Sequence, residues 1–187
     1  MLFTETDLPG AYLVDLQKLE DERGFFARSW CAREASALGI DPRIVQCNIS
    51  FNNRKGTLRG MHLQLPPFAE SKLVRVTRGA LYDVIIDLRA DSATFKQWLG
   101  IELTAENRRA LFVPKGFAHG FQTLEDDTEI FYQMSEFYSP EHARGVRWDD
   151  PAFGIRWPLE VTEISPKDRV LPHFTPAEFA SLSLALG

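Results

Sequence analysis

The chain has 187 residues, of which 44% are hydrophobic and 25% charged, a composition that excludes a disordered protein. This length predicts one domain with a sizeable core, and 14 phenylalanines with four tryptophans supply bulk for a β-rich interior. The formal net charge of −5 excludes general nucleic-acid binding, because that function needs a basic surface to displace counterions.

The two cysteines, Cys31 and Cys47, are too few for a disulfide framework and lack the spacing of a metal site. Their apolar sequence neighbours predict buried free thiols. The first residues contain neither the basic region nor the long apolar run of a signal peptide, and no stretch is long and apolar enough to span a membrane. We therefore expect a soluble, cytoplasmic protein that forms a single domain over residues 1–187.

Short alternating or β-branched stretches dominate the chain. They predict strands at residues 12–16, 25–31, 44–51, 56–64, 72–77, 80–88, 98–103, 109–113, 119–124 and 129–138. Helices are predicted at residues 32–39, which end at a glycine, and at residues 173–187, where Thr175-Pro-Ala-Glu178 gives a capping-box start. Many short strands separated by turn residues predict a β-sandwich or barrel.

The stretch Gly56-Thr-Leu-Arg-Gly-Met-His-Leu-Gln64 contains an arginine and a histidine three positions apart. Strand alternation predicts that Leu58, Gly60, His62 and Gln64 share one face. A face with glycine, imidazole and amide groups indicates the wall of a polar cavity, because glycine lets another group approach the backbone closely. For an isolated Arg-x-x-His pattern, the alternative is a structural histidine beside a surface arginine.

The segment Pro114-Lys-Gly-Phe-Ala-His119 fits a tight turn that leads into a strand with an inward-facing histidine. It resembles the second motif of the cupin double-stranded β-helix, and the stretch 56–64 then corresponds to the first motif. The predicted fold is therefore mainly β, a cupin-type jelly-roll barrel with a few short helices and a C-terminal helix.

The inward-facing residues of such a barrel would be His62, Gln64, Lys72 and His119. A metal-binding cupin typically has a glutamate at the position of Lys72 and a second histidine at the position of Gln64. A protonated lysine repels a divalent cation instead of binding it, so we expect no metal at this site. A metal-dependent cupin is the alternative that these residues disfavour.

A polar pocket that contains Arg59, His62, Lys72 and His119 suits an anionic ligand and proton transfer. Histidine titrates near neutral pH, and a positioned base contributes about 10² to 10⁴ in rate. Lysine can stabilise a developing enolate oxygen through its charge.

Three further residues are candidates for proton transfer. Tyr132 and Tyr138 offer phenols as donors, although tyrosines are also ordinary strand residues. Asp168 follows a proline turn, where carboxylates are usually solvated. If the C-terminal segment folds back over the barrel mouth, Asp168 would accept a hydrogen bond from His62 and orient its ring.

Seven motifs together resemble the dTDP-4-dehydrorhamnose 3,5-epimerase family over about residues 1–172. They are Asp21-x-Arg-Gly-x-Phe26, Gly56-x-Leu-Arg-Gly-x-His62, Lys72-Leu-Val, Asp83-Val-x-x-Asp-x-Arg89, Pro114-x-Gly-Phe-Ala-His-Gly-Phe121, Trp148-Asp-Asp-Pro151 and Ser165-x-Lys-Asp168. One such motif would be weak, but this number in the family's order is highly specific.

The resemblance implies an epimerase that inverts C3 and C5 of a nucleotide-linked 4-keto-6-deoxyhexose. His62, oriented by Asp168, would remove a proton alpha to the ketone, and Lys72 would hold the oxygen of the enolate. Tyr132 would return a proton from the opposite face. No cofactor is implied, because the ketone of the substrate serves as the electron sink.

The resemblance also implies the residues that bind the nucleotide sugar. Arg59 would hold the diphosphate and His119 would line the sugar pocket. The remaining positions that match substrate-binding residues are Arg23, Phe26, Gln46, Asn48 and Tyr138. Arg23 and Phe26 would reach the nucleotide across the interface of a homodimer, in which N-terminal strands within about residues 1–50 are exchanged.

Five positions depart from the family's usual pattern. Arg28, Cys47 and Leu63 stand where glutamate, aspartate and tyrosine are frequent, and Glu70-Ser71 stands where Gln-Gly is common. A CDP- or GDP-linked substrate therefore remains an alternative, as does a single-centre epimerase or a ketoisomerase. A non-catalytic nucleotide-sugar-binding cupin is the alternative from another class.

Overall fold

The computed structural model describes residues 1–183, and its regular structure consists of short strands and two short helices. The strands are β1 (Leu2–Glu5), β2 (Tyr12–Asp15), β3 (Leu19–Asp21), β4 (Gly24–Phe26), β5 (Gln46–Asn52), β6 (Thr57–Gln64), β7 (Lys72–Arg78), β8 (Ala80–Asp87), β9 (Trp98–Thr104), β10 (Ala110–Val113), β11 (Phe117–Thr123), β12 (Thr128–Met134), β13 (Ala143–Gly145) and β14 (Glu163–Ile164). The helices are α1 (Ala32–Ser36) and α2 (Pro166–Arg169).

The strands form two sheets and one separate hairpin. The first sheet has the order β1-β2-β10-β7-β12-β5, and the second has the order β13-β6-β11-β8-β9. Almost all pairs are antiparallel, whereas β14 adds to β6 in parallel, and β3 pairs with β4 alone. The predicted mainly β jelly roll of the cupin type is confirmed.

The main core lies between the two sheets, because alternate residues of each strand point inward and are apolar. Val74 and Ile130 come from the first sheet, and Leu81, Ile85 and Leu103 come from the second. All five side chains are almost completely buried. This packing closes one end of the barrel and leaves polar inward-facing residues at the other.

The C-terminal part of the chain covers the outer face of the second sheet. Phe153, Phe179 and Leu182 pack there against Ile86 and Val146. Hydrogen bonds of the buried Gln122 side chain on β11 hold the same segment. Its Nε2 donates to the carbonyl oxygens of residues 159 and 160, and its Oε1 accepts from the backbone amide of residue 159.

The prediction of a helix at residues 173–187 is wrong for its described part. Residues 176–181 form successive turns, in which the amide of Glu178 donates to the carbonyl of Thr175 three residues earlier. Burial of Phe179 and Leu182 on the sheet fixes this segment, and that tertiary packing overrides the local capping signal. Residues 184–187 lie outside the described part of the chain.

Other local predictions also need correction. Strand β4 ends at Phe26 instead of continuing to residue 31, helix α1 ends at Ser36, and β12 ends at Met134. The thiol of Cys47 is exposed instead of buried, because Cys47 lies on the outward face of the edge strand β5. Within residues 1–183, no helix is long and apolar enough to cross a membrane.

Candidate active site

A cavity of about 650 Å³ opens between the two sheets at the polar end of the barrel. Nine of the predicted catalytic and substrate-binding residues line it: Gln46, Asn48, Arg59, His62, Lys72, His119, Tyr132, Tyr138 and Asp168. Gln46 and Asn48 reach the cavity from alternate positions of β5, as strand periodicity requires. The fold therefore brings together residues that are up to 122 positions apart in the chain.

A β-bulge places Arg59 and His62 on the same side of β6. His119 faces His62 and Phe121 faces Arg59, so a step of two residues on β11 opposes a step of three on β6. The extra residue reverses the alternation between the two positions. The predicted face is wrong in one respect, because Leu58 is completely buried and Arg59 lines the cavity instead.

The bulge depends on the absence of a side chain at Gly60. This residue has φ +120°, and a Cβ here would lie 2.5 Å from the Cα of Gly120 and 2.9 Å from the carbonyl oxygen of His119. The two strands could accommodate such a group only by separating.

We expect the substitution Gly60→Ala to lower the free energy of unfolding by about 2 to 4 kcal/mol, because it adds a backbone clash to an unfavourable φ. Urea denaturation would measure this loss. The matched control is Gly39→Ala, which also has positive φ but places its Cβ in open space and should cost about 1 to 2 kcal/mol. Equal losses in the two variants would contradict a close approach at Gly60.

His62, which is partly exposed to the cavity, forms a hydrogen-bonded pair with the buried Asp168. His62 Nε2 lies 2.6 Å from Asp168 Oδ1, and the amide of Gly60 donates to Asp168 Oδ2 over 3.4 Å. Residue 164 of β14 pairs with Leu58 of β6, which brings α2 to the cavity. Ser165 then caps α2 by accepting a hydrogen bond from the amide of Asp168. The hydrogen bond between His62 and Asp168, which the sequence could not establish, is therefore present.

The surroundings of Asp168 keep it ionised. Burial alone would raise the pKa of its carboxyl, but the hydrogen bond and charge of His62, with donors from Gly60 and Ser165, more than offset burial and lower that pKa. In the tautomer whose Nε2 donates a hydrogen bond to this carboxylate, the Nδ1 lone pair of His62 is free to act as a base.

Because the pKa of Asp168 is lower in the folded chain than its ordinary value of 3.8, the carboxylate stabilises the fold at neutral pH. We expect Asp168→Asn to be less stable than the wild type at pH 7, and the difference to shrink as the pH falls below 3.8 through the lowered pKa. Urea denaturation at a series of pH values would measure it.

The control for this series is Asp7→Asn, which changes an exposed carboxylate far along the chain from the cavity residues. A difference between wild type and Asp168→Asn that stays constant from pH 7 to the acid limit would contradict the lowered pKa.

Tyr132 and Lys72 come from the first sheet, opposite the His62 strand. Burial raises the pKa of the Tyr132 phenol, although the charge of Arg59 partly offsets this effect, so the phenol keeps its proton at neutral pH. Lys72 Nζ lies 3.0 Å from Glu70 Oε1 and donates to the carbonyl of His62 over 3.3 Å. The walls thus present a base on one side and an acid and a cation on the other.

His119 forms a second histidine–carboxylate pair, which sequence reasoning missed. Its Nε2 lies 2.7 Å from Oδ1 of Asp83, a completely buried residue of β8. Asp83 begins one of the sequence motifs, and this was a signal that it matters, but no role was predicted for the residue. Further polar residues for which no role was predicted also line the cavity: Ser50, Glu70, Arg144, Lys167 and Glu178.

Arg23 and Phe26 lie away from this cavity, on the hairpin of β3 and β4. The Arg23 side chain is 89% exposed and pairs with Asp21, and Phe26 is 72% exposed. Within one chain, the structure therefore does not bring these two predicted residues to the site.

The cavity of this barrel brings together a histidine–aspartate pair, a protonated phenol and an ammonium group, which are groups able to transfer protons and to stabilise a negative oxygen. Within residues 1–183, no three histidine, cysteine, aspartate or glutamate side chains are grouped as metal ligands. The model of the family described as dTDP-4-dehydrorhamnose 3,5-epimerase matches residues 5–176. The chain belongs to this family, and it is an enzyme of the isomerase class.

Individual relatives agree with this result. A dTDP-4-dehydrorhamnose 3,5-epimerase of Sinorhizobium fredii is 45% identical over 177 residues, which are 92% of this chain and 89% of the relative. The structure of the Bacillus anthracis enzyme with TDP and PPi bound has a TM-score of 0.89 and 46% identity, and the match covers 92% and 99% of the two chains. The Legionella pneumophila enzyme in complex with dTDP-4-keto-L-rhamnose has a TM-score of 0.86 and 36% identity, with 99% and 96% covered.

Proposed function

We propose that this chain inverts C3 and C5 of dTDP-4-dehydro-6-deoxy-D-glucose and so produces dTDP-4-dehydro-L-rhamnose. The observation that supports this proposal best is that His62 on one sheet, paired with Asp168 of α2, and Tyr132 on the other sheet all line one cavity. Inversion of a carbon centre needs a base on one face and an acid on the opposite face, which two facing sheets can provide.

Each inversion transfers two protons and leaves the substrate at the same oxidation level. Nδ1 of His62 takes the proton from the carbon, whose electron pair moves into the ketone and forms an enolate. Lys72 stabilises the negative oxygen. Tyr132 then donates its proton to the opposite face of the carbon while the ketone re-forms. Solvent exchange returns both residues to their starting states, and no cofactor takes part in the proton balance.

The nucleotide end of the substrate would lie against Gln46, Asn48, Arg59 and Tyr138. Arg59 is well placed to bind a diphosphate, because Asn52 fixes its guanidinium by accepting a 2.7 Å hydrogen bond from Nε. His119, held by Asp83, would line the sugar pocket. Arg59 thus supplies a binding group for the negatively charged diphosphate, in addition to the residues that transfer protons.

Deuterium exchange tests this proposal. Incubation with dTDP-4-dehydro-6-deoxy-D-glucose in D₂O should introduce deuterium at both C3 and C5, as measured by NMR. Deuterium at one carbon only would favour a single-centre epimerase, and a displaced ketone would favour a ketoisomerase. Binding without exchange for dTDP-, CDP- and GDP-linked keto sugars would favour a non-catalytic binding protein.

We also propose a homodimer in which the β3–β4 hairpin of each chain completes the site of its partner. The hairpin exposes Phe25 and Phe26 to solvent, and the outward face of β5 exposes Ile49 and Phe51. Such aromatic and aliphatic surface is typical of interfaces that become buried on assembly. Arg23, which does not line the cavity of its own chain, would then contact the nucleotide bound to the partner chain.

A mixing experiment would distinguish a shared site from a self-contained one. We expect His62→Asn and Arg23→Ala chains to be weakly active alone, and co-refolding of equal amounts to restore about a quarter of wild-type activity, since half the dimers would then hold one intact site. A mixture no more active than its components would contradict the shared site. Co-refolding of His62→Asn with Lys72→Ala is the control, because no dimer formed from these chains has an intact site.

A cytoplasmic location is part of the same proposal. Cys31 and Cys47 are free cysteines, and free thiols persist in a reducing compartment.

A further inference from the structure

The side chain of Glu70 is a buried carboxylate whose one polar partner within residues 1–183 is Lys72. It is only 4% exposed, and its Oε1 lies 3.0 Å from Nζ of Lys72. Its Oε2 is buried without a hydrogen-bond partner in the same part of the chain. A buried charge is costly unless it is paired, and an unsatisfied oxygen adds to that cost. The contact that offsets this cost is the one with Lys72, which indicates that Glu70 acts on that lysine.

The ammonium group of Lys72 is held from two directions. Its Nζ contacts Glu70 and also donates to the carbonyl of His62 over 3.3 Å. His62 belongs to β6, whereas Glu70 belongs to the segment that joins β6 to β7. An ammonium group has three hydrogens at tetrahedral angles, so two fixed hydrogen bonds set the direction of the third. Because Lys72 lines the cavity, the third hydrogen is the one that remains for a ligand.

Stabilisation of an enolate depends on where the positive group lies. Lysine carries its charge on a flexible four-carbon stem and has no planar fork to fix its direction. A catalytic group that is misplaced by about 1 Å can lose about 100-fold in rate. A lysine that stabilises a developing charge therefore needs neighbouring acceptors that fix it before the reaction begins.

We propose that Glu70 is a positioning residue of the epimerase reaction. It anchors the ammonium group of Lys72 so that the third N–H bond is directed at the ketone oxygen of the bound sugar. This inference rests on the proposed function, which assigns the ketone oxygen to Lys72. It extends that function by giving a role to a carboxylate of the cavity wall that acts through the lysine instead of contacting the substrate.

A double-mutant cycle tests whether Glu70 acts through Lys72. Methionine replaces either residue with an unbranched side chain that has no charge. In the wild-type background, we expect Glu70→Met to lower kcat for C3 and C5 exchange in D₂O by about 10- to 100-fold, the usual range for a hydrogen bond to a charged group. In the Lys72→Met background, adding Glu70→Met should change kcat by no more than about threefold, because no ammonium group remains to be positioned.

The split between kcat and KM gives a second reading from Glu70→Met alone. A bond to the enolate oxygen contributes in the transition state, so kcat should fall while KM stays within about threefold. Glu70→Gln keeps an acceptor oxygen but loses the charge, so its kcat should lie between those of the wild type and Glu70→Met. Circular dichroism and urea denaturation would show that each variant is folded. If Lys72→Met does not fold because Glu70 is left unpaired, the kcat and KM values of the two Glu70 variants decide the question.

The matched control is Glu178→Met, which removes another cavity-lining carboxylate. Glu178 lies 3.7 Å from Arg144 and pairs with that residue instead of Lys72. Its effect on kcat, whatever its size, should be the same with and without Lys72→Met. This control shows whether the loss of coupling is specific to Glu70.

The same loss from Glu70→Met in both backgrounds would mean that Glu70 acts through the fold, and would overturn the assignment. A rise in KM with unchanged kcat, or wild-type kcat in Glu70→Met, would overturn it as well. Wild-type kcat in Lys72→Met would remove the role of the lysine and that of Glu70 with it, while exchange at C3 and C5 would still support an epimerase. A wild type that exchanges neither carbon would overturn the proposed function itself.

Discussion

Replacing His62 with asparagine should lower deuterium exchange at both C3 and C5 by about 10² to 10⁴, the contribution of one positioned base. Asparagine can still hydrogen-bond to Asp168 and fill the space of the ring, but it cannot accept a proton from carbon at neutral pH. Both centres should lose activity together, because the proposed function assigns both abstractions to the His62–Asp168 pair and gives His119, paired with Asp83, only a place in the sugar pocket. NMR of the sugar protons in D₂O measures each centre separately.

The matched control is His142→Asn. His142 hydrogen-bonds to Ser139 and packs against Phe68, so its loss perturbs a neighbouring loop without removing the base. This control should keep exchange within a few-fold of the wild type. Wild-type exchange at either carbon in His62→Asn would show that another group removes that proton, and the two-sheet mechanism would then fail for that centre.

Replacing Tyr132 with phenylalanine should separate exchange from inversion. Without the phenol, the enolate regains a proton from the His62 side, so deuterium enters with retention of configuration. We expect epimerised product to fall by about 10² or more while deuterium still enters the starting sugar. The raised pKa of Tyr132 makes it a donor that is protonated at neutral pH, and this is the capacity that the substitution removes.

Mass spectrometry of recovered substrate measures exchange, and NMR of the product measures inversion. The control Tyr82→Phe removes a phenol from the cluster that packs on the outer face of the second sheet, and both readouts should stay near the wild type. A parallel fall of exchange and inversion in Tyr132→Phe would contradict a separate acid, because removing only the donor should spare the abstraction step.

The sequence predicted the strands of this fold well because their alternation is local. Residues 80–88 and 98–103, for example, differ from β8 and β9 by one residue. The pairing of β14 with β6 was beyond such reasoning, since two residues carry no periodicity and the contact joins positions 106 apart. The cupin class came instead from the resemblance of residues 56–64 and 114–119 to the two cupin motifs.

The candidate site was predictable in its residue types and only partly in its geometry. His62 and Lys72 stood in recognisable motifs, Tyr132 was a candidate phenol on a predicted strand, and all three line one cavity. The bulge that turns Arg59 inward is a tertiary feature, since it appears only when β6 is aligned with β11. The pairing of Asp83 with His119 similarly depends on the register of neighbouring strands.

The attachment of the C-terminal segment by Gln122 and β14 has a consequence for when activity can arise. The orienting carboxylate at position 168 is held by a segment that is synthesised after every strand of the two main sheets. A chain that ends before residue 159 would lack both the carboxylate that pairs with the His62 ring and the residues that cover the outer face of the second sheet. We therefore expect full activity only after the last part of the chain has been synthesised and has packed on the sheet.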